Sequence, residues 1–305
     1  MSGSVSCIIP THQRAHFLAE ALASIEKQTV TPGEVIVVSD VDDPQTAEVC
    51  AKFSAESSIP LVLSTWFEGG ASPSRNRGAA LASGELIAFL DDDDTWAPTF
   101  LERSLETLHA SGAEITVAWM NMFKDDKVKL GPAIATGLSA RDVVAINPGV
   151  TGSNMLLRRS AFERVGGFDS ELRMKNDTDF FFRFLKDGGR YAVVEERLVN
   201  QRKHDSGQLT GHSLTRAEHT EAYLNKHRHD LARADRKHMK FVIHRIRSHA
   251  SPQRSQRLIH KVRALLNYTY KQYASDRRNR LDREFFEVPS IDGTPTEVTG
   301  PSPAR

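Results

Sequence analysis

Residues 85–96 read ELIAFLDDDDTW: a short apolar run, four consecutive carboxylates and an aromatic residue just behind them. The apolar run has the length of a buried strand. Four adjacent like charges repel, so at the end of such a strand they need either open solvent or a cation. The rest of the chain has to decide between the two.

Working outward, the flanking sequence alternates. Residues 4–10 (SVSCIIP) read as a strand, and 15–28 follow as a helix with Leu18, Ala21, Leu22 and Ile25 at helical spacing. Residues 34–40 (EVIVVSD) form a second β-branched run, too apolar for an edge. A helix over about 44–55 leads to a strand at 61–65, where Pro60 stands just ahead of the first residue. A helix over 74–82 then precedes the strand 85–91. This order predicts an α/β fold with a mostly parallel sheet and helices on both faces. In such sheets ligands bind at the carboxyl ends of the strands, where Asp40 and the four aspartates both fall.

Beyond them a helix is expected over 98–110 and strands over 114–123, 152–158 and 191–195. Residues 177–186 (DTDFFFRFLK) read as a helix opened by acids, which suit the positive end of its dipole. From about 213 the pattern turns helical. Met239, Val242, Ile243 and Ile246 form one apolar stripe, and Leu258, Val262 and Leu265 begin another. Residues 288–305 hold four prolines among Gly, Ser and Thr, as a disordered tail would. The expected organisation is a domain over 1–212, a basic helical region over 213–287 and the tail.

Composition narrows the class. With 305 residues, 39% of them hydrophobic, the chain can bury a sizeable core. No apolar run approaches the length of a bilayer span, the N-terminus does not read as a signal peptide, and two cysteines make no disulfide framework. The cytoplasm is the expected compartment. The net charge of +1 hides an asymmetry: residues 226–283 hold 17 Lys and Arg against 4 Asp and Glu. Such a segregated basic region suggests an anionic partner, with peripheral attachment to an anionic membrane favoured over nucleic acid. The alternative is a helical appendage whose cations simply face water.

A dinucleotide fold is excluded at its fingerprint, because the turn after the first strand is PTHQRAHF, without glycine. No G-x-x-x-x-G-K-[ST] loop occurs either. Phosphate would then be handled through a divalent cation, Mn2+ or Mg2+, for which one or two of the four aspartates suffice. The competing reading is a solvated acidic turn capping the helix that follows. Trp96 fits core packing better than a sugar platform.

The segments SVSCIIPTHQR, EVIVVSD, SRNRGAALASGELIAFLDDDDTWAP and GSNMLLRRSAFERVGGFDSELRMKNDTDFFFRF follow each other in order. Together they resemble the family 2 glycosyltransferases over roughly residues 4–210. That resemblance implies a GT-A fold and an inverting, metal-dependent enzyme using a nucleotide-diphospho-sugar donor and a glycan or lipid-linked acceptor. It implies donor-nucleotide contacts for Thr11, Asp40, Arg75, Asp91 and Asp92, metal contacts for Asp93 and His204, and the catalytic base for Asp177. Two positions depart from the family pattern. Ser39 precedes Asp40 where a second aspartate is common, and Asn176 precedes Asp177 where a glutamate is usual. Asparagine cannot raise its neighbour's pKa by like-charge repulsion, so Asp177 would be tuned differently. Asp179 is the rival base. A retaining transferase on the same fold, or a catalytically silent nucleotide-binding module, are the alternatives, and specificity is expected in the loops around 124–152 and 200–215.

Overall fold

The computed structural model describes residues 4–124, 127–203, 213–269 and 286–287. Its first half follows the alternation in the sequence: β1 (Val5–Thr11), α1 (Ala15–Glu26), β2 (Glu34–Ser39), α2 (Pro44–Glu56), β3 (Leu61–Thr65), α3 (Ala71–Leu81) and β4 (Leu86–Phe89). These strands lie in the order β4-β1-β2-β3, all parallel. Neighbouring positions of β1, β2 and β4 feed opposite cores. Cys7, Ile9, Val35, Val37 and Ala88 face one; Ile8, Ile36, Val38, Ile87 and Phe89 face the other. Strands buried on both faces have no polar side to show, which is why they read as unbroken apolar runs.

The chain continues through β5 (Thr95–Trp96), α4 (Phe100–Ser111), β6 (Ile115–Lys124), β7 (Lys127–Leu130), α5 (Ala140–Val143), β8 (Met155–Arg158), α6 (Arg159–Val165), α7 (Asn176–Lys186) and β9 (Tyr191–Arg202). This half joins in mixed sense. β8 runs antiparallel to β4 and to β6, β6 antiparallel to β7, and β9 parallel to β6 while pairing antiparallel with β5. The result is a mixed α/β sheet with flanking helices. β9 reaches Arg202 rather than ending near 195, which brings Asn200 and Val199 alongside β5, directly behind the four aspartates.

Helices α1, α2 and α4 cover one face and α3, α6 and α7 the other. α2 starts on Asp43, which accepts from Gln45 N–H at 3.2 Å and Thr46 Oγ1 at 2.7 Å, with Pro44 at the first position. α3 lies so close to β1 that a Cβ on Gly78 would stand 2.3 Å from Ile8 Cγ2. Glycine at the end of SRNRG is therefore a packing requirement, and it sets how near Arg75 comes to the sheet.

Three helices follow: α8 (Leu214–Lys226), α9 (Arg233–Ala250) and α10 (Arg254–Leu266). α8 and α9 enter the same core as α7, through Ala217, Tyr223, Met239, Ile243 and Ile246. The two apolar stripes expected here have opposite fates. That of α9 is buried, whereas Leu258, Val262 and Leu265 of α10 are exposed. The expected tail 288–305 lies outside the described residues. No helix among the described residues is long and apolar enough to cross a membrane.

Candidate active site

The four aspartates do not cap α4; β5 stands between them, and Thr99 occupies the helix start. Asp94 N–H closes a turn on the Asp91 carbonyl at 3.1 Å. Within it the side chains divide two and two. Asp92 and Asp94 point inward, 4% and 2% exposed, while Asp91 and Asp93 stay partly accessible. Asp92 accepts from Thr11 Oγ1 at 2.8 Å and Arg14 Nη1 at 3.3 Å; Asp94 accepts from Ser153 Oγ at 2.6 Å and the Arg202 N–H at 3.0 Å. Burial lifts Asp92 to about 6 against the pull of Arg14 and Thr11. Asp94 is raised too, by burial and by the charges of Asp91 and Asp93. The inner pair thus holds the turn, and the outer pair keeps partial access to solvent.

Arg75 connects this turn to α7. Its guanidinium is 3% exposed, ion-paired with Asp91 and 3.4 Å from Asp177 Oδ1. The plane also lies 5.2 Å from the centre of the Phe168 ring, and Gly152 covers it closely: a Cβ there would fall 2.7 Å from Nη2. The rest of the motif serves the same placement. Asn76 exchanges two hydrogen bonds with the backbone of Phe168, at 2.7 and 2.9 Å. A guanidinium this enclosed, with two carboxylates on it, is no exposed surface pair of negligible worth.

At the start of α7, Asn176 is buried and donates Nδ2 to Ser72 Oγ at 2.9 Å, while its Oδ1 accepts the Asp177 N–H at 2.8 Å. Asparagine here clamps α7 to α3. Burial pushes Asp177 up to about 6 despite the opposing Arg75. The tuning that a neighbouring glutamate would supply by repulsion comes from desolvation instead. Asp179 differs completely. It has no exposed surface and is ringed by Arg183 Nε, Lys226 Nζ and His227 Nε2, each at 2.7 Å. Burial would raise it, but His227, Lys226 and Arg183 hold it down to about 2. An enclosed, triply paired carboxylate has no oxygen to offer an acceptor.

At the ends of β1 and β2, Asp40 accepts from Gly70 N–H at 3.1 Å and lies 2.5 Å from His12 Nδ1, whose own side chain is largely exposed. Thr11 is buried, its hydroxyl spent on Asp92. Two non-glycine residues have positive φ among the described residues: Gln13 (51°), in the turn after β1, and Lys175 (61°), just before Asn176. Lys175 turns its Nζ over the Tyr223 ring of α8, 5.3 Å from the centre.

Of the residues singled out in the sequence, Thr11, Arg75, Asp91, Asp92, Asp93 and Asp177 gather around the 91–94 turn through their own contacts, and Asp40 lies at the end of β2. His204 lies outside the described residues. Trp96 is core: buried, donating Nε1 to Ser153 O at 2.7 Å and stacked on Phe100. Arg14, Ser153, Gly152 and His12 were missed. Arg14 and His12 sat in the quoted PTHQR turn, yet nothing in a linear spacing shows that Arg14 meets Asp92 and Asp93, 78 and 79 positions away.

Among the described residues, no group of three or more His, Cys, Asp or Glu side chains is arranged to hold a metal ion by itself. The donor set does fit a cation that takes part of its shell from a ligand, since Asp91 and Asp93 present two partly accessible carboxylates in one turn.

The family model described as Glycosyl transferase family 2 matches residues 6–166. A curated relative in Escherichia coli, the UDP-Glc:alpha-D-GlcNAc-diphosphoundecaprenol beta-1,3-glucosyltransferase WfgD, is 25% identical over 62% of this chain and 72% of its own length. Among solved structures, Staphylococcus aureus TarS 1-349 in complex with UDP-GlcNAc superposes with a TM-score of 0.57 at 16% identity, over 95% of each chain. The chain spans 44% of the longer TarS structure. The mannosyltransferase PcManGT of Pyrobaculum calidifontis, in complex with GDP-Man and Mn2+, gives 0.60 at 18% identity, over 92% of this chain and 80% of its own. At these identities the solved structures establish the fold.

Proposed function

The chain belongs to glycosyltransferase family 2 and is a glycosyltransferase drawing on a nucleotide-sugar donor; from that premise we propose a metal-dependent, inverting transfer with Asp177 as base. The observation that carries this reading is the position of Arg75. One buried guanidinium holds both Asp91, of the strand-end turn, and Asp177, at the start of α7.

The acceptor hydroxyl attacks the anomeric carbon on the face opposite the diphosphate. Its proton passes to the Asp177 carboxylate while the bond from the anomeric carbon to the diphosphate oxygen breaks, and the nucleoside diphosphate departs. A carboxyl lifted to about 6 is ionised at neutral pH yet still basic enough to take that proton. Asp91 and Asp93 would hold the Mn2+ or Mg2+, which when bound neutralises charge developing on the diphosphate. Asp92 and Asp94 keep the turn in place through Thr11, Arg14 and Ser153. Asp40, at the end of β2 beside the Gly70 N–H, receives the base of the nucleotide, and the Thr11 turn borders it. The diphosphoundecaprenol in the name of WfgD supports a glycan or lipid-linked acceptor in surface-glycan assembly.

The test is calorimetric titration with UDP, GDP and dTDP, with and without Mn2+. One nucleotide should bind in a metal-dependent manner, lose that dependence in Asp93→Ala and keep it in Asp177→Asn. Proton NMR of the product should show the inverted anomer. A protein that binds none of the three nucleotides, or that yields the retained anomer, would overturn the reading.

A further inference from the structure

Helix α10 packs on α9 through Ala264 and through His260, whose ring stacks on His244 with centres 5.3 Å apart. Among the described residues nothing covers its other side. Leu258, Ile259, Val262, Leu265 and Leu266 are each between 50% and 72% exposed. At about 100° per residue these five fall within one arc of about 120°, turned away from α9. Arg254 and Lys261 border the arc on one side and Arg263 on the other, all exposed. No acidic residue occurs in the helix. An apolar stripe between two rows of cations is the build of a helix that lies in a bilayer surface, its stripe among the acyl chains and its cations at the phosphates.

We propose that α10 is a membrane-docking face that seats the chain, peripherally and in plane, on an anionic phospholipid surface. The charge pattern selects this occupant. A second copy docked across a two-fold axis would set Arg254, Lys261 and Arg263 against themselves with no acid between them. Residues 267–283, directly after the helix, repeat its sign with five Lys and Arg against two Asp. RNA would satisfy the cations and leave five apolar side chains in water. The proposal goes beyond the transferase reading and stands apart from the residues assigned to it.

The whole 305-residue chain is to be co-sedimented with vesicles of phosphatidylcholine alone and of phosphatidylcholine with phosphatidylglycerol. Binding is expected on the anionic vesicles and weak on the neutral ones. The double variant Val262→Asp/Leu265→Asp should lose roughly tenfold or more in affinity. Lys261→Glu/Arg263→Glu should lose a comparable factor, and added salt should weaken the parent. Both positions pairs are exposed, so thermal unfolding should match the parent and vouch for the fold. Three results would overturn the proposal: vesicle binding that is absent or indifferent to both variants, a parent dimer that Val262→Asp/Leu265→Asp converts to monomer, or RNA binding that needs Lys261 and Arg263 but not Leu265.

Discussion

The acidic turn at 91–94 and the acidic first turn of α7 hold their charge in opposite ways. In the turn, the buried members are lifted towards neutrality, Asp92 to about 6 and Asp94 also upward, while Asp91 and Asp93 stay partly exposed. In α7 the two aspartates are two residues apart and diverge. Asp177 is raised to about 6, while Asp179 is lowered to about 2. Residue type and sequence distance are alike in both places. What differs is how many cations answer each desolvated carboxylate. Asp177 shares one arginine with Asp91, whereas Asp179 meets Arg183, Lys226 and His227, the lysine also reaching Asp169. Within α7, the carboxylate with one shared partner is raised and the carboxylate with three partners is lowered.

The contrast can be broken most sharply at Asp177. Asp177→Asn should lower kcat by about three orders of magnitude while nucleotide affinity stays near that of the parent. Turnover and calorimetry on the same preparation decide it, and substantial residual kcat would move the base elsewhere. Asp179→Asn should do the reverse. Removing the carboxylate leaves Arg183, Lys226 and His227 facing one another, a loss of about 3 kcal/mol in denaturant unfolding with a smaller effect on kcat. Should Asp179→Asn remove activity at unchanged stability, the division into base and strut fails.

Gly152→Ala sharpens the comparison at the shared arginine. The added methyl would meet the guanidinium at 2.7 Å, so Arg75 must shift off one of its carboxylates. A decrease of about tenfold in kcat is expected, with the acid limb of the rate profile displaced from that of the parent. The smallest effect is the pH dependence itself. For Asp177, activity should fall tenfold per unit as pH drops below about 6, because the protonated carboxyl cannot accept. For Asp179 the folded value of about 2 lies beneath the ordinary 3.8. Its stabilisation, about 2 kcal/mol, is therefore whole above pH 4 and lost as pH falls towards 2. A rate limb near 4 would mean that burial does not lift Asp177.

Much of the fold was legible because its signals are local. Strands buried on both faces give continuous apolar runs, and helices between them give a 3.6-residue period; both are properties of neighbouring residues. The acidic turn at a strand end and the KNDTDFF opening of α7 were visible for the same reason. The stripes of α9 and α10 show where that legibility stops. Met239, Ile243 and Ile246 have the same periodicity as Leu258, Val262 and Leu265, yet one stripe is core and the other surface. Periodicity reports that a helix has an apolar side, not what covers it.

By itself, then, the sequence determined the order of strands and helices, the strand-end position of the carboxylates and the concentration of basic charge after residue 226. Only the tertiary structure decided which aspartates turn inward, that Arg75 joins Asp91 to Asp177, which lies 102 positions after the arginine, and that Asp179 is enclosed by Lys226 and His227. The reason is physical. Secondary structure follows from interactions within a few residues, whereas the pKa and accessibility of a carboxylate follow from desolvation and Coulomb terms set by whatever the packed chain brings within a few ångströms.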